Sequence, residues 1–328
     1  MKDRPPSDEH IFPLAIGGSL HTQRVCRECN SILGSTVDAP LSDHIFIVIR
    51  RAELGLKGNS NTIPDALKNL LGTGMSTLVS DPTQRVQLTT NPNTGKLDLK
   101  MIYHATETKL GGEVVQRQIT LDARDVGQVG TIIQRERKRA GHQPLSLEEL
   151  KAQVDLVVAA GSRTIEKPEV KHQIILDRVE FRKGLLKIAY ELAFIWLGET
   201  YLDDPMAARL RDVILSRSDE QTAKLRGGIT IGPDSPPVKF WFSEKDCHIA
   251  YSSKAEKEIA ICVKIFDIFT AVVIVTEQME RYLQGELEER TIQFIRLDPV
   301  SETFKQTSLA RELDRLGKSG VNIPDLAS

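Results

Sequence analysis

Glu9 and His10 stand side by side in the run Ser7-Asp8-Glu9-His10-Ile11-Phe12-Pro13, and a second polar run, Cys26-Arg27-Glu28-Cys29-Asn30, follows closely. Hydrolysis of a phosphodiester at a one-metal site needs three things: a base to activate water, a cation to carry the charge on phosphate and leaving oxygen, and oxygen ligands for that cation. An imidazole beside a carboxylate supplies the base and one ligand. Asn30 adds a neutral amide oxygen suited to a hard cation such as Mg²⁺ or Mn²⁺. Two alternatives stay open on the residues alone: Asp8 in place of Glu9 as the inward carboxylate, and Asn30 as a helix cap.

Positioning these groups asks for particular elements. On a strand, Glu9 and His10 project to opposite sides, so a bulge or twist is required for both to serve one site. Gly17-Gly18 permits a tight reversal, and Arg24-Val25 then forms a second short strand leading into a helix that starts near Cys26. The N-terminus of that helix favours a phosphate, and Arg24 and Arg27 beside it are candidate phosphate contacts. Asp38 lies two helical turns beyond Asn30, where it either backs the site or caps the next segment.

The order Glu-His-Ile-Phe-Pro, Gly-Gly, Val-Cys-Arg-Glu-Cys-Asn and then Asp38 resembles the HNH endonuclease superfamily, specifically the group with E-H-I-x-P and C-x-x-C-N motifs. The resemblance spans about residues 7–43. It implies a ββα-metal finger and a metal-dependent endonuclease with one Mg²⁺ or Mn²⁺, His10 as general base, and Glu9 and Asn30 as metal ligands. It implies a nucleic-acid substrate, DNA ahead of RNA. The run from Phe181 to Leu202, with Lys187-Ile188-Ala189-Tyr190-Glu191, is similar to the C-terminal region of such proteins, though less specifically. Two features depart from the pattern. Members often carry another Cys-x-x-Cys ahead of the E-H motif, and none precedes Ser7; His21-Thr22-Gln23 stands where an Asn is common. The rival reading is a catalytically inactive HNH-like module that binds nucleic acid or protein.

The whole chain sets the frame. Its 328 residues, 40% hydrophobic and 27% charged, suffice for two compact units, and a formal charge of −2 gives no general attraction to nucleic acid, so contacts must come from a local basic surface. The start, Met1 to Pro6, has no apolar core and does not read as a secretory signal, which points to a cytoplasmic protein. The expected class is α+β: an HNH finger at 1–45, a connecting segment at 46–80, and a larger α+β domain at 81–328 with a long buried helix. The first forty residues hold few large apolar side chains and need a metal or a neighbouring domain to stay folded.

Within the larger part, 84–122 reads as a β-meander around turns at Asn91 to Gly95 and Gly111-Gly112. Helices are expected at 126–139 and 146–160, the latter capped by Ser146, and the longest near 178–198, apolar on more than one face. Gly232, Pro233, Pro236 and Pro237 break the chain before strands at 238–277, and a charged helix is expected near 301–317. Ile259 to Val275 is rich in β-branched residues and reads as buried strands rather than a membrane span. The basic run Arg135, Arg137, Lys138 and Arg139 reads as a solvated helix face, and the pairs Asp43-His44 and Cys247-His248 as structural. No triad, P-loop or metal cluster occurs beyond the finger.

Cys26 and Cys29 supply half of a tetrahedral zinc site, and no thioredoxin-like βαβ pattern surrounds them. Purified protein is therefore expected to carry well under one zinc per chain. Metal analysis returning one tightly bound zinc would overturn this and point to His21, Cys247 or Cys262 as the missing ligands.

Overall fold

The computed structural model describes residues 4–72, 74–90, 97–110, 113–174, 180–216, 225, 227–231, 246–282 and 293–318. The expected turns at Asn91 to Gly95 and Gly111-Gly112, and the break from Gly232 to Pro237, lie outside these residues.

The first elements are β1 (Pro6–His10), a 3-10 turn (Leu14–Ile16), β2 (His21–Cys26), α1 (Arg27–Leu33), a π-helical stretch (Gly34–Asp38), α2 (Ala39–Ser42) and α3 (Ile45–Leu54). β1 and β2 pair antiparallel, Ser7 with Val25 and His10 with His21, and the register is broken between Ser7 and Glu9. Two residues of β2, Gln23 and Arg24, face the single residue Asp8 at that point, so the bulge lies on β2, and Glu9 and His10 themselves stay in regular register. Gly17 closes the 3-10 turn at φ 82°, and a Cβ on Gly18 would meet the Phe12 carbonyl oxygen at 1.7 Å. The Gly-Gly pair is there because the reversal folds the chain back onto itself with no room for side chains.

After α4 (Ala66–Gly72) come β3 (Gly74–Leu78), β4 (Arg85–Thr90), β5 (Leu97–Met101), β6 (His104–Leu110), β7 (Glu113–Thr120), α5 (Val129–Arg139), α6 (Leu147–Ala159) and β8 (Val170–Ile174). The expected meander divides in two: β5, β4, β3 and β8 form one sheet and β6 with β7 a separate hairpin. Ser146 closes a capping box with Glu149 at the head of α6. On α5 the basic run is partly tied down, Arg135 lying over the Tyr103 ring and Arg139 pairing with Glu136.

The remainder holds α7 (Glu180–Leu197), α8 (Pro205–Leu215), β9 (Gly227–Ile231), β10 (His248–Ala255), β11 (Glu258–Ile265), β12 (Phe269–Thr276), β13 (Gln293–Asp298), β14 (Thr303–Ser308) and a last helix, Leu309–Lys318. The expected helix at 301–317 begins late because 303–308 pairs with β13 as an edge strand. The sheet order is β14-β13-β10-β11-β12-β9, all antiparallel. Seven of the eight residues of β11 are buried, which accounts for its unbroken apolar sequence. No single helix among the described residues is long and apolar enough to cross a membrane.

The compact units do not follow chain order: one comprises Met1–Ala66 with Leu176–Ser328, the other Leu67–Ile175. Division at 45 and 80 by sequence position places 81–175 with the C-terminal part, whereas the structure separates them. The reason lies in the core of the first unit. Ile11, Phe12, Ile16, Leu20, Val37 and Leu41 are buried in one cluster with Leu185, Ile188, Ala189 and Leu192 of α7 and residues of β11 and β12. The first forty residues have no separate core; they are held by packing on the chain beyond residue 176.

His248 clamps this contact. Its buried ring accepts from the Phe266 N–H at Nδ1 (3.3 Å), meets the Ile16 carbonyl at Nε2 (2.8 Å) and stacks on Phe12. It is a satisfied structural residue, as its sequence setting suggests. Burial pushes it down to about 4 from 6.5, so the unfolded chain takes up the proton first. Stability is full above about pH 6.5 and is lost as pH falls toward about 4, on the order of 3 kcal/mol. Thermal melts across that window should show the loss, and His248→Gln should flatten it; an identical acid dependence in a folded variant would exclude this clamp as its source.

Candidate active site

β1, α1, the π-helical stretch and α7 bring the candidate side chains together. Glu9 is 1% exposed while its neighbour His10 is half-buried, the opposite projections expected of a strand. Both nevertheless line one cavity of about 280 Å³, together with Asn30, Asp38, Arg51 and Lys57. That cavity lies between β1 on one side and the continuous run from α1 to α2 on the other.

Asn30 is not a cap. The cap of α1 is Cys26, whose sulfur accepts from the Cys29 N–H at 3.4 Å. Asn30 instead donates from Nδ2 to Ser7 Oγ (2.6 Å) and to the Asp8 carbonyl (2.8 Å), stitching α1 to β1 across the bulge. With both amide hydrogens engaged, the amide oxygen is the end available to a cation. Asp38 caps nothing either, although it precedes α2. Its carboxylate accepts from Lys187 Nζ at 3.1 Å. Asp8 pairs with His21 Nδ1 at 2.7 Å and does not line the cavity, so Glu9 is the inward carboxylate.

Lys187 is the residue that sequence reasoning missed. Its ammonium is buried and ion-pairs with Glu9, Asp38 and Glu191, and it donates to the His10 carbonyl at 2.6 Å. Burial alone would lower the ammonium, but Glu191, Asp38 and Glu9 together keep it above the ordinary lysine value. Burial pushes the Asp38 carboxyl up to about 6 against the pull of Lys187, and pushes Glu191 well above its ordinary range. Lys187 and Glu191 line a second, mainly apolar cavity of about 580 Å³ with Val25, Ile32, Phe194 and Ile214. Lys187 therefore reaches the carboxylates from behind. The sequence signal was available: Lys187 and Glu191 stand four apart in a helix with no solvated face, and charges there must be paired.

His10 stacks on His21 with ring centroids 6.0 Å apart. Burial holds its imidazole below the ordinary histidine value, which keeps it neutral near pH 7 and able to take a proton. Arg24 and Arg27, expected at the site, do not line the cavity. Arg24 lines the apolar cavity and pairs with exposed Glu199 at 3.2 Å, and Arg27 borders a separate cleft with Arg4 and Glu28. The cations on the cavity are Arg51, buried and donating to the Ser42 carbonyl, and exposed Lys57. The loop carrying Lys57 packs against the 3-10 turn, where a Cβ on Gly58 would meet Ala15 Cα at 2.8 Å.

Among the described residues Cys26, Cys29, Cys247 and Cys262 form no disulfide, and the last two lie in an apolar cluster with Ile249, Tyr251, Phe294 and Leu316. His44, expected to be satisfied, is buried among Phe46, Phe181 and Phe269 with Nδ1 lacking a hydrogen-bond partner among the described residues. Among the described residues no group of three or more His, Cys, Asp or Glu is set to hold a metal ion.

Residues 1–46 match the family model described as HNH endonuclease. No curated protein and no solved structure matches the chain.

α7 reaches the site only because Gly184 lets it close on α2: a Cβ there would meet Leu41 Cβ at 2.7 Å and the Val37 carbonyl at 3.2 Å. Gly184→Ala should force the helices apart and cost about 1–3 kcal/mol in denaturant melts, a typical overpacking loss. A variant as stable as the wild type would mean that this approach is not close in solution.

Proposed function

We propose, from the match of residues 1–46 to the HNH endonuclease family model, that this chain is a divalent-metal-dependent endonuclease that hydrolyses phosphodiester bonds of DNA. The reading rests chiefly on one observation: His10 and Glu9 of β1 and Asn30 and Asp38 of the run that follows β2 line the same cavity, with Arg51 and Lys57 on its wall.

The donors fit a hard cation. Glu9 offers carboxylate oxygens and Asn30 an amide oxygen whose own N–H groups are already spent on Ser7 and Asp8. Mg²⁺ takes one or two such protein ligands and completes its shell with water and phosphate oxygens. When bound, the ion supplies positive charge for the phosphate and the leaving oxygen. His10 is the general base: a ring nitrogen takes a proton from water as the water oxygen bonds to phosphorus and the bond to the leaving oxygen breaks. Arg51 and Lys57 hold the phosphate by charge.

Substitutions separate this reading from a binding module without chemistry. His10→Ala should lower cleavage of plasmid DNA in Mg²⁺ or Mn²⁺ by about 100-fold or more, the usual worth of a general base. Asn30→Ala should suppress cleavage far more than DNA affinity, because duplex affinity comes from phosphate contacts spread over a wider surface. The binding module predicts no metal-dependent cleavage even in the wild type. Wild-type protein that binds DNA but cuts neither single- nor double-stranded substrate in any of several divalent metals, with and without chelator, would end the nuclease reading.

A further inference from the structure

Lys187 lies far outside the matched segment 1–46, on a helix near the middle of the chain, yet its hydrogen-bond and ion-pair partners among the described residues, Glu191 apart, belong to that segment. A buried ion pair is weak evidence of a stabilising role, since apolar replacement is often neutral. Three features argue that this lysine serves the site. It donates to the main-chain carbonyl of His10, the residue that carries the base. It bridges Glu9 and Asp38, both on the cavity wall, so one ammonium sets the separation of two carboxylates. Finally, it does so from the apolar side and leaves the cavity clear.

We propose that Lys187 is a positioning residue of this centre, fixing the His10 main chain and the Glu9 and Asp38 carboxylates from behind, while its charge weakens the hold of those carboxylates on a divalent cation. The inference rests on the nuclease reading above. A permanent positive charge a few ångströms behind the ligands repels a dication, so the ion is held less tightly than the carboxylates alone would hold it. The same lysine keeps those carboxylates oriented while no ion is bound. It also ties assembly of the site to folding of the part of the chain that donates α7.

Lys187→Met keeps an unbranched side chain one atom shorter and removes its charge. The expected result is paired: Mn²⁺, measured by calorimetry or paramagnetic resonance without DNA, binds at least about tenfold tighter, while turnover at saturating Mn²⁺ falls at least about tenfold as His10 loses its anchor. A merely structural lysine predicts looser metal binding with slower turnover, and either that result or wild-type values in a folded variant overturns the proposal. Lys187→Arg, which keeps the charge, should hold the Mn²⁺ affinity near the wild-type value and serves if the Met variant does not fold; an Arg variant that binds Mn²⁺ as tightly as expected for Met would count against the charge. Histidine-labelled NMR of metal-free protein gives a readout independent of metal. The His10 ring signal should move in Lys187→Met, or in Lys187→Arg if Met does not fold, and an unmoved signal refutes the positioning role. If wild-type protein binds no Mn²⁺ and cuts nothing, the nuclease reading fails, and the His10 signal alone decides on Lys187.

Discussion

Taking an ammonium out of water costs several kcal/mol even after relaxation, about as much again for each carboxylate buried with it, and only close, well-aligned partners offset it. Lys187 meets that condition with Glu9, Asp38, Glu191 and the His10 carbonyl. These partners come from β1, from the π-helical stretch before α2 and from α7 itself. If any one of those elements were displaced, a buried charge would be left unmatched, so the cluster ties them to one arrangement. Gly184 is the steric counterpart, since α7 must come close to α2 for the ammonium to reach Asp38.

Hydrophobic packing works in the same direction. The opening segment buries Ile11, Phe12, Ile16 and Leu20 against α7 and the six-stranded sheet rather than within itself. A segment of that size has too little interior to fold alone. Here the missing interior is supplied by residues more than a hundred positions later, and His248 fixes the docking by meeting the Ile16 carbonyl and stacking on Phe12. The candidate side chains thus sit on a segment that packs against the C-terminal part of the chain.

The two cavities on either side of the cluster differ in chemistry for the same reason. The smaller has polar groups on its wall because Glu9, His10, Asn30 and Asp38 converge there. The larger is apolar because it lies between α1, α7 and α8, whose facing residues include Ile32, Phe194 and Ile214. Lys187 and Glu191 are charged groups at the boundary, and burial pushes the Glu191 carboxyl well above its ordinary range against the pull of Lys187.

Local patterns were legible from residue types alone. The Gly-Gly reversal, the two short strands before a helix, the capped helix after Ser146, the long helix near 178–198 and the buried strands within 259–275 all follow from turn chemistry and periodicity, which act over a few residues. So did the identity of Glu9, His10 and Asn30 as residues able to share one site. What the sequence left open was decided by contacts between distant stretches. Whether Asn30 caps α1 was decided only when Cys26 took the cap and Ser7 accepted from the Asn30 amide. Asp38 was a backing residue or a cap until Lys187 reached it. Arg24 and Arg27 were neighbours of the site in sequence but line other clefts, and the cations on the cavity wall are Arg51 and Lys57, from a later helix and loop. The grouping of 1–66 with 176–328 was likewise invisible, because an apolar face shows in sequence that it must be covered, not which distant segment covers it.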